Sequence, residues 1–233
     1  MRAVRKAILW TINRAGYDLV RSKAHPRGFV AAHLARFFSP RTVIDVGAAE
    51  GTPPLLEAFP TAKFILIEPL VEYQEPLRDV QAKYDCKVFF CAAGASPGEA
   101  QLQVSLDDPQ KSSFSVRTAL TKRNHKFSAR TVPVRTLDDI AAECGELPRP
   151  ILLKVDTEGH ELETLKGSTA LLKRVDVIIA EASVANRFEN GYRFEELVSF
   201  MAARGFRFTD VLSIAHARDE LAPHHMDVLF TRD

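Results

Sequence analysis

The chain has 233 residues, 46% of them hydrophobic, enough for one sizeable core and with no stretch resembling a linker that would divide two. Its 31 Lys plus Arg against 30 Asp plus Glu leave a formal charge of +1, which excludes a global field for nucleic acid and confines basic character to local segments. The three cysteines, Cys86, Cys91 and Cys144, are odd in number and contain no C-x-x-C, which argues against a disulfide framework or a zinc site and leads us to expect buried reduced thiols in a cytoplasmic protein.

Residues 1–41 read as a basic helical extension. Arg2, Arg5, Lys6, Arg14, Arg21, Lys23 and Arg27 stand against Asp18 alone, and Val4, Ile8 and Ile12 recur at four-residue spacing. Two readings stay open: peripheral contact with anionic membrane lipid, or packing on the domain with the arginines solvated. The apolar part, Ala7 to Ile12, is too short for a signal peptide or a membrane span.

From Thr42 to Pro69 the pattern is strand, glycine turn, helix, strand. Val43 to Val46 is an apolar run carrying Asp45. It breaks into Gly47 and Gly51, and Pro53-Pro54 then open a short helical pattern through Leu55, Leu56 and Phe59. Phe64 to Ile67 is the second strand, stopped by Glu68 and Pro69. This is half of a βαβ nucleotide fold. Glycines at positions 47 and 51 let a ligand approach main-chain amides, and a carboxylate at Glu68, on the edge of the second strand, is placed to accept from a ribose diol. The spacing is G-x-x-x-G, with Ala48, Ala49 and Glu50 between, and not the G-x-G-x-x-G of dinucleotide sites. Asp45 and Glu50 would repel a pyrophosphate but suit a sulfonium with an ammonium tail, so the turn favours S-adenosylmethionine over NAD.

Val71 to Lys83 reads as a helix and Lys87 to Ala93 (KVFFCAA) as a third strand, whose end offers Cys91, Ala92 and Ala93 as contacts for an adenine ring, although small residues near a loop need no ligand to explain them. Between about residues 94 and 134 the pattern changes to a small β insertion. Ala100 to Leu106 and Arg130 to Val134 alternate as strands around a polar loop with Lys111, Arg117, Lys122, Arg123, His125 and Lys126. An anionic acceptor and a solvated loop both account for that charge. Thr136 is an N-cap ahead of Asp138 and Asp139.

Ile151 to Val155 forms a central strand, in which period two puts Leu152, Lys154 and Asp156 on one face. A lysine there needs a partner, and Asp45 on the neighbouring strand is the expected one. Asp156, Glu158 and, after the next strand (Val175 to Ala180), Glu181 converge at the edge where open α/β sheets bind ligands. They form a group able to act as a base or, through Asp156 and Glu181, to hold Mg²⁺. Phe194 to Arg204 is a helix, Phe206 to Ile214 and Met226 to Thr231 are strands, and the loop between the strands carries His216, His224 and His225. These supply a base near neutral pH or are ordinary surface histidines.

In this order, DVGAAEG, IEP, the serines of QKSSFSV, VRTLDD and LLKVDTEGHELETLKG resemble the FkbM family of S-adenosylmethionine-dependent methyltransferases, from about Thr42 to Glu181. The resemblance implies an α/β, Rossmann-like methyltransferase fold over residues 42–233, with a mostly parallel doubly wound sheet and a final antiparallel strand. It implies O-methylation of a hydroxyl on a sugar, glycan, glycolipid or related natural product. By position it assigns Asp45, Gly47 and Gly51 to the methionine end of the cofactor, Glu68 to the ribose, Ser113 to the serine stretch and Asp138 to the TLD acid; beside these, Ala48 and Pro69 are candidate cofactor contacts, and Lys111 of the basic loop and His216 of the histidine loop are candidate acceptor residues. Lys154, Asp156, Glu158 and Gly159 fall in the signature block. Where the family often has Asn after the Gly-Ala of the turn, this chain has Ala49. A nicotinamide-dependent oxidoreductase and a non-catalytic cofactor-binding module are the alternatives.

Overall fold

The computed structural model describes residue 14 and residues 34–119, 126–215 and 223–232. The predicted amino-terminal helix, the insertion-loop cations Lys122 and Arg123 with His125, and His216 lie outside the described residues.

The apolar runs become seven strands of one sheet: β1 (Thr42–Val46), β2 (Lys63–Ile67), β3 (Cys86–Phe89), β7 (Ile151–Val155), β8 (Val177–Ser183), β9 (Phe206–Ala215) and β10 (His225–Arg232). Three further strands, β4 (Ala92–Ala93), β5 (Gly98–Ser105) and β6 (Phe127–Arg135), form a small separate sheet. The large sheet runs β3-β2-β1-β7-β8-β10-β9, parallel except for β10, which is antiparallel to both neighbours. The fold is therefore α/β and Rossmann-like, with the antiparallel final strand.

Period two sorts each strand between two cores. Ile44, Val46, Leu153 and Val155 face one side with α3 (Leu137–Cys144), α4 (Glu161–Lys166) and α5 (Phe194–Ala202). Val43 and Leu152 face the other with α1 (Pro53–Ala58) and α2 (Gln74–Gln81). Both faces are covered, as a parallel sheet requires. Chain order reverses between β1 and β7, and that switch point opens a crevice at the carboxyl ends of the strands.

Two expectations need correction. The run 87–93 is not one strand. After β3 the chain leaves the edge of the large sheet, Cys91 packs in the core while also lining the crevice, and Ala92 and Ala93 pair with Val134 and Arg135 of the small sheet. Glu181 lies inside β8, not just beyond its end, because pairing with β10 extends that strand to Ser183. The insertion is a β5–β6 antiparallel ladder whose Leu102, Val104 and Val132 pack with Leu70 and Ala92, fastening it over the crevice.

Candidate active site

The turn after β1 is held by main-chain bonds. The N–H groups of Gly47 and Ala48 donate to the Ile67 carbonyl at 3.0 and 3.2 Å, and the Asp156 N–H donates to the Val46 carbonyl at 3.0 Å. Gly47 has φ +77°, and a Cβ there would stand 1.8 Å from the Asp156 carbonyl oxygen, so the glycine is required both by backbone conformation and by close approach. Glu68, at the end of β2, closes the turn. Its Oε2 accepts from the Ala49 N–H at 2.8 Å and its Oε1 from the Leu70 N–H at 2.9 Å. Burial pushes its pKa up to about 7 in spite of those two bonds, with Asp45 adding to the rise.

These elements enclose a cavity of about 320 Å³ at the switch point. The glycine turn and Glu68 to Leu70 form one side, Ala92, Ala93, Leu102 and Phe114 supply an apolar slot, and Lys154, Asp156, Glu158 and Asp227 lie at the other end. Among the described residues its charged lining side chains are Glu50, Glu68, Asp156, Glu158 and Asp227 against Lys154 alone.

Lys154 is buried between two carboxylates, 3.2 Å from Asp45 Oδ1 and 3.1 Å from Asp156 Oδ2. Burial pulls its pKa down, but Asp156 and Asp45 more than reverse this and hold it charged, above its ordinary value. Asp45 does not line the cavity. Its Oδ2 accepts from Thr52 Oγ at 2.6 Å and its side chain is 1% exposed, so it anchors Lys154 and the turn instead of meeting a ligand cation.

Of the three converging carboxylates, only Asp156 remains substantially open, with a side chain 33% exposed. Glu158 is ion-paired to Arg187 and, at 3.1 Å, to Arg117, while Glu181 pairs with Arg187 at 2.5 Å and with His225 Nε2 at 3.5 Å. Both guanidinium groups lie 5.0 Å from the ring centroid of Phe188. Burial raises the pKa of Glu158 against the pull of Arg187 and Arg117, and raises that of Glu181 well above normal, with Asp156 and Glu158 contributing. His225 is pushed down to about 4, by burial first and then by Arg187, so it is neutral near pH 7 and supports Glu181 from behind. Glu181 does not line the cavity.

The acceptor-side assignments also change. Ser113 is buried, donates to the Glu158 carbonyl at 2.6 Å and accepts from the Ser115 N–H, so it fastens the insertion to the signature loop. Lys111 pairs with Asp108 at 2.8 Å and does not reach the cavity; Pro109, Gln110, Ser112 and Phe114 do. Asp138 caps the turn at Ala170 and Leu171 and has no part in the site.

Sequence reasoning missed three groups. Glu161 is fully buried and binds its own loop through the N–H groups of Thr157 and Gly159, while Tyr192 donates to it at 2.9 Å. An acid directly after a glycine turn was its only signal. Asp227 lines the cavity from β10 with Ser213 donating to it, and burial raises its pKa; an acid in the otherwise apolar VLF-containing strand marked it. Arg187 carried no local signal.

The donor set fits S-adenosylmethionine. There is a carboxylate for a diol, an apolar slot for a purine, and an acidic end for a sulfonium and an ammonium. It does not fit Mg²⁺: Asp156 is bound to Lys154 and Glu181 to Arg187, and among the described residues no group of three or more His, Cys, Asp or Glu is arranged to hold a metal ion.

A family model described as the methyltransferase FkbM domain matches residues 45–208. The hexuronic acid methyltransferase AglP of Haloferax volcanii is 41% identical over 71 residues, covering 30% of this chain and 30% of that protein. The match thus spans under a third of that relative's length. A solved structure of a methyltransferase FkbM from Methylobacillus flagellatus superposes with a TM-score of 0.50 at 19% identity, over 83% of this chain and 44% of the other, a likeness of fold.

Proposed function

The chain belongs to the FkbM methyltransferase family, and on that premise we propose that it transfers a methyl group from S-adenosylmethionine to a hydroxyl oxygen of a sugar, glycan or related natural product. The observation that carries this reading is the charge of the cavity, where among the described residues Glu50, Glu68, Asp156 and Asp227 face one ammonium, Lys154, that is already paired, Glu158 being taken up by Arg187 and Arg117. A dinucleotide would bring two phosphates into that field, whereas the methyl donor brings a sulfonium and an ammonium.

Bound S-adenosylmethionine supplies an electrophilic methyl group. The chain's own residues hold the acceptor and manage its proton. An alcohol is a weak nucleophile until that proton is taken, and in this reading Asp156, the most open of the three converging carboxylates, takes it. Lys154 holds Asp156 in position. Arg187 and Arg117 neutralise Glu158 and Glu181, so the acceptor wall is not a block of repelling charges, and Glu181 acts on the site only through Arg187 and His225. Asp227 offers a second cavity carboxylate for an acceptor hydroxyl. A uronic acid or other hexose acceptor is supported by the name of the relative that matches a 71-residue stretch. Among the described residues no helix is long and apolar enough to cross a membrane. We place the reaction in the cytoplasm, on an envelope glycan, with the basic amino-terminal stretch in peripheral contact with the membrane.

Calorimetric titration with S-adenosylhomocysteine and with NAD, repeated on Glu68→Ala, tests the cofactor. The proposal expects the first to bind alone and to weaken in the variant. Labelled methyl donor with hexuronic acid and neutral glycan acceptors then tests the reaction. NAD binding would overturn it in favour of an oxidoreductase, and donor binding without transfer to any acceptor would leave a binding module.

A further inference from the structure

The charges of this molecule are segregated along the strand direction. Carboxylates gather at the carboxyl ends of the central strands, while at the opposite ends four neighbouring parallel strands are each entered by a cation. Lys63 opens β2, Arg41 precedes β1, Arg149 precedes β7 and Arg174 precedes β8. These strands are adjacent in the order β2-β1-β7-β8, so the cations form a row. At the ~4.8 Å spacing of paired strands it is about 14 Å long.

The four line one open groove with the segment Glu146 to Pro148. In that segment Arg174 donates to the Leu147 carbonyl at 3.0 Å and Lys63 to the Glu146 carbonyl at 3.4 Å, and the exposed Glu146 carboxylate is the one acid among the groove's described lining residues. A carbonyl fixes where a cation sits and leaves its charge intact. Arg149 is matched by Asp176, and Arg41 is exposed with no ion pair among the described residues.

We infer that this rim is a docking face for the acidic phospholipid headgroups of a membrane surface. The row is open, with Arg41, Arg149 and Arg174 exposed and Lys63 half-buried, so it matches an extended plane of charge. Residues 2–27 add seven Lys and Arg against Asp18 a short distance before Arg41 in the chain, continuing the same sign of charge. Docking by the rim holds the cavity at the far end of the strands, about 17 Å further from the headgroups for a five-residue strand. A basic residue at an anionic leaflet contributes about fivefold to partitioning, and salt screens it. The inference stands whether or not the cavity transfers methyl groups.

The test is co-sedimentation of the full chain with vesicles of phosphatidylglycerol and phosphatidylcholine, against phosphatidylcholine alone, at low and high salt. The wild type and the double variant Arg41→Gln/Lys63→Gln are compared, with melting temperature as the check on folding. The expected result is salt-sensitive binding to the acidic vesicles only, weakened about 25-fold in a double variant that melts like the wild type. Equal binding to neutral vesicles overturns the inference. So does unchanged binding by the double variant, which would assign membrane contact to the amino-terminal stretch.

Discussion

Lys154 Nζ stands 3.2 Å from Oδ1 of Asp45, its register partner across the β1–β7 ladder, and both side chains are buried. Removing one partner leaves the other as an uncompensated buried charge. Lys154→Met is therefore expected to cost about 3–5 kcal/mol, and Asp45→Asn combined with it to recover much of that loss. Urea unfolding of the single and double variants measures the coupling; strictly additive costs would show that the pair does not act as one.

Arg187 binds Glu158 and Glu181 together, so Arg187→Met leaves Glu158 dependent on Arg117 and Glu181 beside the neutral His225. Without the guanidinium both acids become harder to ionise, and the cost of the substitution grows as pH rises. Thermal melts should show a larger deficit at pH 8 than at pH 5, and an equal deficit at both would contradict the pairing.

Glu68 has a folded pKa of about 7, above the ordinary carboxylate value, because it is buried. The unfolded chain ionises it more readily, so this group's contribution to stability is fully present below about pH 4.5 and is lost as pH rises through about 7, on the order of 3 kcal/mol. Glu68→Gln should flatten that part of the stability profile. Donor binding has the opposite slope, because a ribose diol donates to the ionised form: affinity for S-adenosylhomocysteine should rise from pH 6 to pH 8 in the wild type and not in Glu68→Gln.

Gly47→Ala places a methyl group 1.8 Å from the Asp156 carbonyl and forces an alanine to φ +77°. Left-handed strain and overpacking together predict a loss of about 3 kcal/mol and weakened donor affinity. Gly98→Ala provides the contrast, since nothing lies within 4 Å of its Cβ position although its φ is +157°. If the two variants unfold alike, the crowding argument fails.

Asp156→Asn should lower turnover by about 10²- to 10⁴-fold while leaving affinity for S-adenosylhomocysteine nearly intact. Single-turnover methyl transfer separates the two effects. Unchanged turnover would remove Asp156 from the chemistry and turn attention to Asp227.

Much of the framework was legible in the sequence because its signals are local. Period-two runs marked the strands, and alternation in 100–106 and 130–134 marked the insertion. Thr136 does cap its helix, accepting from the Asp139 N–H at 3.0 Å, and Lys154 does meet Asp45, because strand alternation and parallel register place them together. The run 87–93 misled because apolar periodicity does not say which sheet a strand will join.

What the sequence determined by itself is therefore the set of elements, the glycine turn and the row of acids at the carboxyl edge, each written within a few neighbouring residues. Tertiary structure alone decided which acids remain available. Arg117 and Arg187 are 70 residues apart in the chain, yet they meet around Phe188 and take Glu158 and Glu181 into ion pairs, while Asp45 turns inward and Asp156 and Asp227 face the cavity. The charge a carboxylate offers depends on burial and on cations delivered by distant segments, and no local pattern records either.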